Sequence, residues 1–161
     1  MYLTITFVLF LLTMMTVLYL KYPNAISYSH YKVHTIVAIP CSKNHIPHLQ
    51  ATINAIEQQT CKPQMIIISV NGVQEEPPIQ TSIPIVWIRT IKKLNAAMNR
   101  NRCIRYLINN NIDFDYISFI DADDYIFPEK LDIMINMMKQ HNIDIGLHEF
   151  IYSGMRKIPH N

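Results

Sequence analysis

From residue 33 onward, short apolar runs alternate with segments whose apolar residues recur at helical spacing. Thr35-Ile36-Val37-Ala38-Ile39 is β-branched and nearly all apolar, so Val33 to Pro40 reads as a strand buried on both faces. Pro40-Cys41-Ser42-Lys43-Asn44 breaks it. Ile46, Leu49, Ile53 and Ile56 then form one helical face, with Pro47 in the first turn and Asn44 or His45 as the cap. Met65 to Val70 is a second buried strand ending at Asn71-Gly72. Gln74 to Pro84, with Pro77-Pro78, is loop. Ile85 to Ile88 is a third, short strand. Leu94, Ala97, Asn101, Ile104 and Ile108 mark a helix from about Lys93 to Asn109. Tyr116 to Ile120 is a fourth strand that runs into Asp121-Ala122-Asp123-Asp124. Pro128 opens a third helix with Leu131, Met134, Ile135 and Met138 on one face. Ile143, Ile145 and Leu147 alternate as a fifth strand running into Phe150 and Ile151. The order β-α-β-β-α-β-α-β predicts an α/β fold with a mostly parallel, doubly wound sheet.

The N-terminus has a different pattern. Leu3 to Leu20 carries no charge, and eighteen helical residues span about 27 Å, close to the hydrocarbon thickness of a bilayer. Tyr19, Lys21 and Tyr22 suit an interface, and Pro23-Asn24 ends the helix. We read a single-pass membrane anchor over 3–20 and a linker over 21–32. The rival reading is a signal peptide cleaved near Ala25-Ile26-Ser27. Lys21 and Lys32 follow the segment, which leans towards a cytosolic C-terminus. The domain proper runs over 33–152, with a tail over 153–161.

Composition narrows the chemistry. The 161 residues suffice for one domain with a real core. A net charge of +2 gives no reason to expect a nucleic-acid partner. Only three glycines occur, and neither a Walker loop nor a G-x-G-x-x-G is present. Cys41, Cys61 and Cys103 match no zinc or redox spacing and read as small, partly buried apolar residues. His45 and His48 are three apart, but Pro47 between them makes a cap and a surface residue the simpler reading.

The acids after the fourth strand carry the chemistry. Ligands of open α/β sheets bind at the C-terminal ends of the strands. Asp121 and Asp123 are two apart, so in extended chain both point the same way and could share one hard cation. The alternative is that Asp123 or Asp124 only caps the next helix.

The neighbouring segments carry a resemblance. Thr35 to Pro40 followed by Cys41-Ser42-Lys43-Asn44, Gln58-Gln59-Thr60-Cys61-Lys62-Pro63, Arg100-Asn101-Arg102-Cys103-Ile104, and Asp121-Ala122-Asp123-Asp124 with Pro128-Glu129-Lys130-Leu131 stand in order. From about Val33 to Phe150 the chain resembles the nucleotide-binding, N-terminal half of a family 2-type glycosyltransferase of the GT-A fold. The resemblance implies an α/β/α sandwich and a nucleotide-diphosphate sugar donor, UDP- or GDP-linked, held through Mn²⁺ or Mg²⁺ on a DxD motif. It implies that Asp121 contacts the ribose or the metal and that Asp123 ligates the metal. Pro40, Ser42, Asn44, Asn71, Arg100 and Ala122 would belong to the nucleotide-sugar pocket. The chain departs from the family at Val70-Asn71, where an Asp pair is common, and at Cys103, where Gly is usual. The resemblance implies an inverting transfer. Such a transfer needs a general base; His148 and Glu149 are the nearby candidates and read as ordinary strand residues, so no base is assigned. The second expectation is a truncated, catalytically inactive binding or interaction module of the same fold.

Overall fold

The computed structural model describes residues 33–148. Its elements are β1 (Thr35–Ser42), a single 3-10 turn (Lys43–His45), α1 (Ile46–Glu57), β2 (Met65–Asn71), β3 (Ile85–Thr90), α2 (Ala96–Asn109), β4 (Tyr116–Phe119) and α3 (Lys130–His141). The four strands form one sheet in the order β3-β2-β1-β4, and every pairing is parallel.

Side-chain alternation along β1 builds the layers. Val37, Ile39 and Cys41 pack with Leu49, Ile53 and Ile56 of α1 and Leu131 and Ile135 of α3. Ile36 and Ala38 face the other way, onto Cys103 and Leu107 of α2. The result is an α/β/α sandwich, and both faces of β1 and β2 are apolar because both are covered. Each fully buried Ile contributes about 1.5–3 kcal/mol of burial, so the Ile-rich centre is the main source of cohesion.

Pro40 does not end β1, which runs on to Ser42. The Ala38 carbonyl accepts from Ile120 N at 3.2 Å, so it faces β4, and Pro40 presents the same side two residues later. By then β4 has ended, its last pair being Ala38 with Phe119. No strand stands there to need the N–H that Pro40 lacks.

The second helix also differs from its predicted face. It starts at Ala96, behind an Asn95 cap whose side chain accepts from Met98 N at 2.8 Å. Its buried residues are Asn99, Cys103 and Leu107, while Ala97, Asn101 and Ile108 are exposed. Leu94 precedes the cap, so a stripe counted from it is rotated off the packed face.

The fifth strand is not formed by the residues described. α3 ends at Asn142 in the left-handed region, φ 50°, and Ile143 N returns to the Met138 carbonyl. Beyond it Ile145 is 79% and Leu147 91% exposed, with no partner strand among the described residues. Alternation alone does not make a strand without an edge to pair with. The remainder of that predicted strand, the tail, the anchor over 3–20 and the linker lie outside the described residues. Among those described, no helix is long and apolar enough to cross a membrane.

Candidate functional site

β1 and β2 end level, Ser42 opposite Asn71. β4 stops sooner, and the chain leaves the sheet through Ile120 into the acidic loop. There it turns, with Asp124 N donating to the Asp121 carbonyl at 3.1 Å. Asp121 and Asp123 still reach one cleft, but this turn brings them together rather than strand alternation. The cleft has a volume of about 140 Å³ and is lined by Pro40, Cys41, Ser42, His45, Leu94, Ala96, Asn99, Asp121 and Asp123.

The loop is fastened to α1 from below. The buried Thr52 hydroxyl lies 2.9 Å from the Ala122 carbonyl and 3.0 Å from that of Asp124, so its proton serves both. Gln59, also buried, donates to the Phe127 carbonyl at 2.8 Å and accepts from Leu131 N at 3.0 Å. Thr60 N donates to the Pro128 carbonyl. These bonds satisfy loop carbonyls that would otherwise be buried unpaired, and they fix where the acids emerge.

The charges around the cleft are unequal. Arg100 of α2 reaches Asp121 at 2.6 Å, Nη2 to Oδ1, in a pair that is about half exposed. Asp123 is exposed and has no ion-pair partner among the described residues. Burial, and secondarily the Asp123 charge, pushes the Cys41 thiol up to about 11. That thiol stays protonated at neutral pH and is no nucleophile.

Of the residues expected in the pocket, Pro40, Ser42, Asp121 and Asp123 line the cleft. Arg100 stands behind Asp121. Asn44 is exposed on the 3-10 turn, outside the lining. Asn71 is buried and donates through Nδ2 to the Leu94 carbonyl at 2.7 Å, so it shapes a wall of the cleft from behind. The Ala122 side chain is fully buried in the core. The cleft also contains Cys41, His45, Leu94, Ala96 and Asn99, which the sequence reading did not place there. Asn99 carried a signal, a polar residue in helical step with Cys103 and Leu107, hidden by the misplaced stripe.

Among the described residues, no three His, Cys, Asp or Glu side chains are grouped to hold a metal ion alone. Asp121 and Asp123 supply hard oxygen donors on one side of an open cleft. That suits Mg²⁺ or Mn²⁺ bound through one or two carboxylates with ligand phosphates completing the shell.

Comparison with solved structures agrees with this architecture. TarS of S. aureus matches with a TM-score of 0.57 at 17% identity, over 79% of this chain and 23% of that one. The chain therefore spans under a quarter of the length of TarS, and the likeness concerns the fold. No curated protein matches the sequence. The family model described as Glycosyl transferase family 2 matches residues 36–158. With a parallel GT-A-like sheet and an acidic loop at its C-terminal edge, the chain belongs to glycosyl transferase family 2.

Proposed function

We propose that this chain binds a nucleotide-diphosphate sugar, UDP- or GDP-linked, and transfers the sugar with inversion to an acceptor, in a metal-dependent reaction. The observation that carries the reading is the convergence of Asp121 and Asp123 with Pro40 and Ser42 in one cleft of a family 2 chain. In the transfer, the bond between the sugar's anomeric carbon and the diphosphate oxygen breaks, and its electron pair goes to the diphosphate. The acceptor oxygen forms the new bond and gives up its proton to a general base. A Mn²⁺ or Mg²⁺ ion bound here supplies charge stabilisation for the departing diphosphate.

The chain's own residues divide that work. Asp123 has no ion-pair partner among the described residues and is the main ligand in this reading. Asp121 is the second acidic group, steered by Arg100 towards either the metal or the ribose. Pro40 and Ser42 line the same cleft, and Asn71 holds the Leu94 carbonyl. Thr52 and Gln59 keep the acids at a fixed height above the sheet. Residues 3–20 would tether the domain to a membrane by a single pass.

The test is release of UDP or GDP from a panel of sugar donors with Mn²⁺. Wild type should release nucleotide, and Asp123→Ala should lose the activity. Binding of donor with no release for any sugar would favour the second reading, a binding module that performs no chemistry.

A further inference from the structure

Below the cleft lies a buried polar cluster with no part in the donor chemistry described so far. Ser69 of β2 is fully buried, and Asn99 of α2 is 2% exposed. The Ser69 hydroxyl donates to Asn99 Oδ1 at 2.9 Å. Arg102 Nη1 lies 3.2 Å from Ser69 Oγ and 3.5 Å from Asn99 Oδ1, and its Nη2 donates to the Arg89 carbonyl at 2.8 Å. A guanidinium can only donate. The amide oxygen of Asn99 therefore faces Arg102 and Ser69: reversed, its NH₂ would oppose the donor-only guanidinium and its oxygen would oppose the Cys41 carbonyl. The orientation of an Asn side chain, usually ambiguous, is decided here by its neighbours.

The amide nitrogen is consequently on the cleft side. Its acceptor among the described residues is the Cys41 carbonyl, at a long 3.4 Å. An amide nitrogen carries two hydrogens, so one remains for a ligand. Around it the cleft presents the Asp121 and Asp123 carboxylates, which only accept.

We propose that Asn99 is a specificity-determining binding residue that donates an N–H to an acceptor oxygen of the bound nucleotide. Ser69 and Arg102 are positioning residues that keep Asn99 a donor. The proposal rests on the donor-site reading above. A base carbonyl and a diphosphate oxygen share the required chemistry, and the probes below separate them.

Asn99→Asp retains the shape and keeps an oxygen towards Ser69 and Arg102, where it gains a charged partner, so the fold is supported. It replaces the donor by an acceptor. Asn99→Leu removes the donor without adding charge, which separates lost bonding from repulsion. The full chain is titrated by calorimetry with UDP, uridine and inorganic pyrophosphate, each with Mg²⁺. Both variants should bind UDP about tenfold or more weakly than wild type, the loss expected when a polar contact is left unmade. A parallel loss for uridine puts the acceptor on the nucleoside, and a parallel loss for pyrophosphate puts it on the diphosphate. Arg102→Met, remote from the ligand, should weaken UDP by a smaller factor. In wild type the Asn99 side-chain ¹⁵N signals should shift on adding UDP with Mg²⁺. UDP affinity unchanged in Asn99→Asp, with wild-type unfolding behaviour, overturns the proposal. If wild type itself binds none of the probes, nor GDP with Mg²⁺, the donor-site reading fails and the proposal with it.

Discussion

Arg100 and Asp121 show how one pair sets the charge of a cleft without holding the fold together. Their side chains are 36% and 48% exposed, so solvent screens most of the attraction. Arg100→Ala should move the urea midpoint by less than about 1 kcal/mol of stability. Its effect on ligands should be larger and of two signs. Free Mn²⁺ should bind more tightly because the cleft becomes more negative, and a nucleoside diphosphate should bind more weakly. Equal shifts in both affinities would contradict the assignment. The thiols make a second residue-level prediction. Burial pushes Cys103 up to about 12, and burial with the Asp123 charge pushes Cys41 up to about 11, against an ordinary value of 9.0. A folded pKa above the unfolded one means stability is whole below about pH 9 and is lost as pH climbs towards about 11 for Cys41 and about 12 for Cys103. Cys41→Ala should flatten that decline in thermal unfolding. In the folded protein at pH 8, Ellman's reagent should modify the partly exposed Cys61 first.

Elements respond according to which face they bury. Leu107 is fully buried on α2, and Ile108 beside it is 65% exposed. Leu107→Ala should cost about 2–5 kcal/mol in chemical denaturation. Ile108→Lys should stay within about 0.5 kcal/mol, because its side chain is mostly exposed. Thr52 connects elements instead of filling space. Thr52→Val keeps the shape but strips the Ala122 and Asp124 carbonyls of their donor, at about 1–3 kcal/mol. It should also weaken Mn²⁺-dependent nucleotide binding, since the acidic loop loses a fixed point. These elements also show what sequence can express. Val37 and Ile66 announce buried strands, because a strand covered on both faces is a continuous apolar run. Leu131 and Ile135 announce their helix face in the same way. The α2 face was hidden because its buried stripe begins with a polar residue, Asn99, whose burial depends on Ser69 and Arg102 from other positions. Ile143, Ile145 and Leu147 alternate as a strand would, but pairing is a property of the partner edge. For the site, Asp121 and Asp123 stood out by their position after a strand end, whereas Pro40 and Ser42 were placed in the pocket by the family resemblance; all four line the cleft. Ala122 and Asn71 were assigned to the pocket by motif, while packing turned one into the core and the other towards Leu94.

At the level of the whole molecule, the parallel sheet brings the ends of β1, β2 and β4 to one edge, and the cleft lies there because β4 stops early. The sandwich supplies rigidity, and the loops at that edge supply the chemistry. Membership of glycosyl transferase family 2 supports the proposal that this edge takes a nucleotide-sugar donor. The most direct measurement is calorimetric titration of the full chain with UDP- and GDP-sugars, with and without Mn²⁺, alongside Asp123→Ala. Wild type should bind at least one donor in a manner that requires the metal, and the variant should lose that metal dependence. Binding of no nucleotide sugar, or equal metal dependence in Asp123→Ala, would contradict the proposed function.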